Sequence, residues 1–109
     1  MSEQVDNNSE FESLKSEIRA FAVVRNWEQF HTPKNLAMAV AGEAGELVAE
    51  FQWLTAKESE LDALTPEQLK AISLEIADVQ IYLLRLADVL KLDVPTAVRA
   101  KLEINEGRF

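Results

Sequence analysis

The stretch AMAVAGEAGELVAEF, Ala37 to Phe51, decides how this chain folds, and ISLEIADVQIYLLRLADVL, Ile72 to Leu90, repeats its message. Each is strongly apolar, and each carries one short acidic word: Glu43-Ala44-Gly45-Glu46 in the first, Glu75-Ile76-Ala77-Asp78 in the second. On a helix, acids at that spacing leave the same face one turn apart. No segment of the chain shows sustained two-residue alternation, so the prediction is all-α. Four carboxylates cannot share a buried space as bare anions, because desolvation and mutual repulsion would force protonation or unfolding. A divalent cation resolves that conflict. The pattern therefore predicts a metal site facing the inside of a helical bundle, with Glu43, Glu46, Glu75 and Asp78 as ligands.

Glu-x-x-Glu on a helix is usually a solvated face, and three features weigh against that reading here. The polar stripe Glu43, Glu46, Glu50 is narrow among Ala39, Val40, Ala41, Ala44, Leu47, Val48 and Phe51. Gly42 and Gly45 flank the first glutamate at about 1 kcal/mol each against alanine, which predicts close approach of another helix or a ligand. Glu75, Asp78 and Tyr82 draw a second polar line through an apolar surface. An all-oxygen ligand set suits magnesium or manganese. A di-iron carboxylate bundle would need Glu-x-x-His words, and the single histidine, His31, lies outside both.

Outward from these words, Met1 to Asn8 is polar and expected to be a flexible N-terminus, with residues 9–109 forming one domain. Ser9-Glu10-Phe11-Glu12 has capping-box spacing, and Phe11, Leu14, Ile18, Phe21 and Ala22 follow at helical intervals. Asn26 to His31 is an aromatic-rich connector. Thr32 and Pro33 open a second helix to about Gln52. Lys57 to Leu64 is a charged surface loop. Thr65-Pro66-Glu67-Gln68 starts a long third helix to about Lys91, and Asp93 with Pro95 opens a fourth to Asn105, stopped by Gly107. The third helix has a stripe of Ile72, Ile76, Val79, Leu83, Leu86 and Leu90, yet Leu74, Ala77, Ile81 and Leu84 make its other faces apolar too. A helix of roughly 40 Å that is apolar on most sides is more than 109 residues can wrap. A homo-oligomer is expected.

Composition narrows the function. A net charge of −8 argues against nucleic acid or anionic membranes as partners, though a bound cation can invert the field locally. Without cysteine there is no disulfide framework and no zinc-thiolate site. The start is acidic rather than basic-then-apolar, so no signal peptide is read there, and no apolar run approaches the ~20 residues of a membrane span. A soluble cytoplasmic protein is expected.

Beyond the four acids, several segments fit one pattern: Asn26-Trp27-Glu28-Gln29-Phe30-His31, Pro33-Lys34-Asn35-Leu36, Gly42 to Leu47, Phe51-Gln52-Trp53, and Lys101-x-x-x-Asn105-x-x-Arg108-Phe109. Together, over residues 11–109, they resemble the MazG-like all-α nucleoside triphosphate pyrophosphohydrolases, in the compact branch of the dCTP pyrophosphatase type. Glu106 departs from the pattern, since relatives often carry a basic residue there. The resemblance implies a four-helix bundle completed by oligomerisation, commonly a tetramer made of two dimers. It also implies magnesium-dependent cleavage of a nucleoside triphosphate to monophosphate and pyrophosphate, dCTP or related deoxynucleotides being preferred, as nucleotide-pool house-cleaning.

Within that resemblance Glu46 takes the proton of the attacking water, with Glu50 a weaker candidate. Lys101 and Arg108 supply charge for phosphate oxygens, and Asn105 hydrogen bonds to sugar or phosphate. On residue chemistry alone these three read as a solvated helix end. Trp27 and Trp53 read either as core or as stacking surfaces for a base whose edge His31 or a backbone group reads, and Tyr82 directs a hydroxyl to the pocket, whereas Phe30 reads as structural. Two alternatives remain. One is a catalytically idle helical module that binds a nucleotide or a protein. The other is a phosphoribosyl-ATP or dUTP pyrophosphohydrolase, against which the tryptophan positions count.

Overall fold

The computed structural model describes residues 3–109, with side chains from Glu10 onward. Four helices carry the described residues: α1 Glu3–Val24, α2 Pro33–Ala49, α3 Pro66–Val89 and α4 Val94–Arg108. Short 3-10 turns lie at Glu28–Phe30, Lys57–Ser59 and Leu61–Ala63, and no strand occurs among the described residues. The all-α expectation is met. The chain forms two compact units, one of residues up to Pro33 with Leu84–Phe109, the other Lys34–Leu83.

Helix ends are where local chemistry decides. α1 begins at Glu3 rather than at Ser9, since no proline or glycine interrupts the segment before Phe11. The expected flexible stretch 1–8 lies outside the residues whose side chains are described. α1 closes at Asn26, which takes the left-handed conformation (φ 57°). Trp27 N–H then donates to Ala22 O at 3.0 Å and Asn26 N–H to Val23 O at 3.0 Å. This pair of bonds is a Schellman cap, and it satisfies the last carbonyls. α3 ends the same way, at Val89 and not at Lys91. Lys91 has φ 60°, Leu92 N–H reaches Ala87 O at 2.8 Å, and Lys91 N–H reaches Asp88 O at 3.2 Å.

The other boundaries follow from hydrogen bonds too. α2 stops at Ala49, short of Gln52, because the next amides tighten to three-residue bonds: Glu50 to Leu47 O at 3.1 Å and Phe51 to Val48 O at 2.9 Å. The segment expected as a charged loop contains two 3-10 turns. The first is opened by a reciprocal cap between Thr55 and Glu58, at 2.8 and 3.1 Å. Thr65 and Gln68 form the same cap at 2.9 and 3.1 Å, as their spacing predicts. Asp93 caps α4 by accepting from Thr96 N–H at 2.9 Å. Gly107 does not stop that helix. It keeps negative φ, and the Phe109 amide still reaches Asn105 O at 2.9 Å.

Packing is thin in the single chain. Leu36 and Ile72 are the buried apolar side chains of the 34–83 unit; Ala22, Leu84 and Ala87 are those of the other, beside buried Lys15 and Arg85. Lys15 Nζ is satisfied by Leu92 O and the Glu12 carboxylate, both at 3.1 Å. Of the α3 stripe only Ile72 is buried, while Ile76, Leu83 and Leu90 are exposed. A helix apolar all round does not mark its inner face by periodicity, so the stripe was no guide to burial. Within this chain nothing described approaches Gly42 or Gly45: a Cβ at either would meet nothing within 4 Å.

A left-handed lysine is strained where glycine is not. Lys91→Gly should therefore stabilise the fold by about 0.5–1 kcal/mol, read as a higher urea midpoint at unchanged m-value. An unchanged or lower midpoint would contradict the cap assignment.

Candidate metal and substrate site

α2 and α3 bring their acidic words together within the 34–83 unit. One carboxylate oxygen each of Glu43, Glu75 and Asp78 lies within 4.8 Å of the others. Glu43 and Glu75 are half-buried and Asp78 is exposed, so the cluster is more open in the single chain than the apolar surroundings predict. Glu46 stands outside the trio and is exposed. Its charge still reaches Glu75. The Glu75 carboxyl is pushed above its ordinary value of 4.5, first by burial, then by repulsion from Asp78, Glu50, Glu46 and Glu43 in that order. An all-oxygen set with surplus negative charge fits a hard divalent cation.

Tyr82, half-buried, follows on α3, and Trp53 lies in the turn after α2 with 87% of its surface exposed. Trp53 is therefore no part of this chain's core. The remaining predicted residues belong to the other unit. Trp27 meets Phe21 edge-on, with centroids 5.8 Å apart at 64°, and the Arg25 guanidinium lies 3.5 Å from the Phe21 centroid. Lys101 and Arg108 are exposed on α4 and Asn105 is half-buried, with Arg108 5.2 Å from the Phe109 ring centroid.

His31 is placed differently from a solvent-facing imidazole. Its Nδ1 accepts a hydrogen bond from Arg85 Nε at 3.0 Å. Burial first, and then the Arg85 charge, lower its pKa below the ordinary 6.5, against a weaker opposing pull from Glu28. Arg85 Nη1 donates to Asp88 Oδ2 at 2.9 Å, and Arg19 grips Asp88 through two bonds of 2.8 and 2.7 Å. Hydrogen bonding from Arg19 is the leading reason the Asp88 carboxyl is held below its ordinary range. Arg19, Arg85 and Asp88 were not singled out from the sequence. The available signal was two opposite charges, Arg85 and Asp88, one turn apart inside the apolar run Leu84 to Leu90.

No family model matches the chain. It is 45% identical over 89 residues to dCTP pyrophosphatase 1 of Homo sapiens, and 43% and 44% identical over 89 residues to the proteins of that name from Bos taurus and Rattus norvegicus. These matches cover 82% of this chain and 52–53% of those proteins, so the chain spans about half the length of the curated relatives it matches. A crystal structure of a pyrophosphatase from Archaeoglobus fulgidus superposes with a TM-score of 0.82 at 40% identity, covering 90% of each chain. Fold and acidic trio thus define an all-helical protein with a carboxylate cluster suited to a divalent cation. The chain belongs to the MazG-like all-α pyrophosphatase family. Among the described residues, no helix is long and apolar enough to cross a membrane.

The raised Glu75 pKa has a thermodynamic consequence. Between the ordinary carboxylate value and the raised folded one, the folded chain holds the proton more tightly than the unfolded chain. Metal-free stability should therefore fall as pH rises through that window. Glu75→Gln should flatten this slope and raise the metal-free melting temperature at pH 7 by a few degrees. Added divalent cation should raise the melting temperature of the unsubstituted chain and leave that of Glu75→Gln unmoved, all read by thermal scans with chelator and with the cation.

Proposed function

We propose that the chain is a magnesium-dependent hydrolase that splits nucleoside triphosphates into monophosphate and pyrophosphate, with manganese an acceptable substitute. One observation carries this reading. In a chain 40% identical to a pyrophosphatase along 90% of its length, α2 and α3 converge Glu43, Glu75 and Asp78 on one point. Glu43, Glu46, Glu75 and Asp78 are the proposed metal ligands. The ion supplies neutralisation of phosphate charge and a lowered pKa for water. Glu46, offset from the trio, accepts the proton of the attacking water. Attack at the α-phosphorus forms one P–O bond, breaks the α–β anhydride, and releases pyrophosphate.

Deoxynucleotides, dCTP foremost, are the proposed substrates, a preference supported by the names of the relatives from three mammals. Trp27, Trp53, His31 and Tyr82 are assigned to the base and sugar, and Lys101, Asn105 and Arg108 to sugar and phosphates. Residues 9–109 act as the catalytic domain, in a cytoplasmic homotetramer made of two dimers. The exposed apolar side chains Leu74, Ile76, Ile81 and Leu83 on α3 support assembly, because a monomer seldom leaves such a surface bare.

Hydrolysis in ¹⁸O-water tests the bond broken. The label should enter the monophosphate and not the pyrophosphate, while Glu43→Gln and Asp78→Asn should each lower kcat roughly 100-fold or more with the helical spectrum unchanged. Label in pyrophosphate, release of orthophosphate, or near-normal activity in either variant would overturn the assignment. Binding of nucleotide without turnover would favour the idle helical module.

A further inference from the structure

His31, the chain's single histidine, stands at the end of a row of charged groups, Arg19, Asp88 and Arg85. A guanidinium has N–H donors and no acceptor, and stays protonated at any ordinary pH. Because Arg85 Nε faces His31 Nδ1 at 3.0 Å, Nδ1 must present a lone pair. The ring proton then sits on Nε2, and the ring is neutral, since a protonated imidazole would turn a second donor toward Arg85. Arg85 is only 5% exposed and cannot swing away easily. Asp88 holds its Nη1, and the two bonds from Arg19 fix Asp88 in turn. The other charge acting on the ring, Glu28, opposes Arg85 more weakly. The His31 amide is also tied, to Glu28 O at 3.0 Å.

We propose that Arg85 is a positioning residue that locks His31 as a neutral Nε2–H donor, and that this donor reads an uncharged acceptor of the substrate base, a carbonyl oxygen or a ring-nitrogen lone pair. A cationic side chain would favour phosphate oxygens instead. A neutral imidazole with one fixed donor adds no charge and rejects any group that itself needs an acceptor. Such discrimination is strong when the site's polar group is left unpaired by the wrong partner. Enclosing Arg85 and Asp88 is costly in desolvation and adds little stability over an apolar filling, so a specificity role accounts for the arrangement. The substrate half of this inference rests on the nucleotide hydrolysis proposed above; the tautomer half does not.

Because there is one histidine, long-range ¹⁵N–¹H correlation spectra of the full chain report on it without assignment. At pH 7 Nε2 should show the shift of a protonated nitrogen and Nδ1 that of a bare one, without averaging between them. Arg85→Met should bring the two shifts together, move the titration of His31 back toward 6.5, and raise KM for the nucleotide roughly 3–10-fold with kcat little changed. Arg19→Met removes an ion pair of the same network but leaves Arg85 Nε facing the ring, so it should lower stability and keep the spectrum. A triphosphate whose base lacks the acceptor should show the raised KM with unsubstituted protein and no further rise with Arg85→Met.

A protonated or Nδ1–H histidine in the unsubstituted chain overturns the lock, and that spectrum decides the matter even where Arg85→Met fails to fold. An altered tautomer with unchanged KM overturns the base-reading role. A chain that hydrolyses no nucleotide yet shows the locked spectrum defeats the proposed activity while leaving the lock standing.

Discussion

Too much negative charge in too small a space is the constraint on which the chemistry of this chain turns. α2 and α3 bring Glu43, Glu75 and Asp78 to one point, with Glu46 and Glu50 close enough for their fields to act on Glu75. Nothing within the 34–83 unit's described side chains offers Glu75 an ion pair, and burial with the neighbouring acids holds its pKa above the ordinary value. Repulsion of this kind lowers the stability of the metal-free fold, and it is the same term that a cation would reverse on binding. Binding strength and metal-free instability are two readings of one arrangement.

Asp88 shows what the same functional group does in the opposite setting. Arg19 and Arg85 donate three hydrogen bonds to it, and its pKa falls where that of Glu75 rises. With its charge already met by two guanidinium groups, this carboxylate is a poor ligand for a further cation. The contrast separates two settings for acids that share a helix: Glu75 and Asp78 face other carboxylates, whereas Asp88 faces two guanidinium groups. Asp88 earns its place by what it does to Arg85, and through Arg85 to His31.

Legibility in the sequence followed the range of the interaction. Thr65 and Gln68 announce their cap because both partners sit four positions from end to end, and the acidic words announce themselves because helical periodicity places them on one face. Gly107 misled, since glycine at a helix end is a frequent stop, yet only a left-handed φ makes it one. The true stops were Asn26 and Lys91, and lysine carries no local signal for that conformation. The Arg85–His31 bond joins residues 54 positions apart, and no spacing rule reaches that far. On α3 periodicity names no inner face: when every face is apolar, it holds no information about which one is inside.

What the chain leaves uncovered bears on the acids as well. Met38 and Val48 on α2, and Leu74, Ile76 and Ile81 on α3, are exposed, and the open space at Gly42 and Gly45 gives no return within this chain for two glycines in a helix. In the proposed assembly a second copy would cover part of this surface. Removing water from around the cluster lowers the local dielectric, and both repulsion between the acids and their attraction for a cation grow in proportion. Assembly would then make the empty site less tolerable and the loaded site tighter. Each would depend on the other, so that the same helices that converge the carboxylates would also tie metal loading to the meeting of two chains.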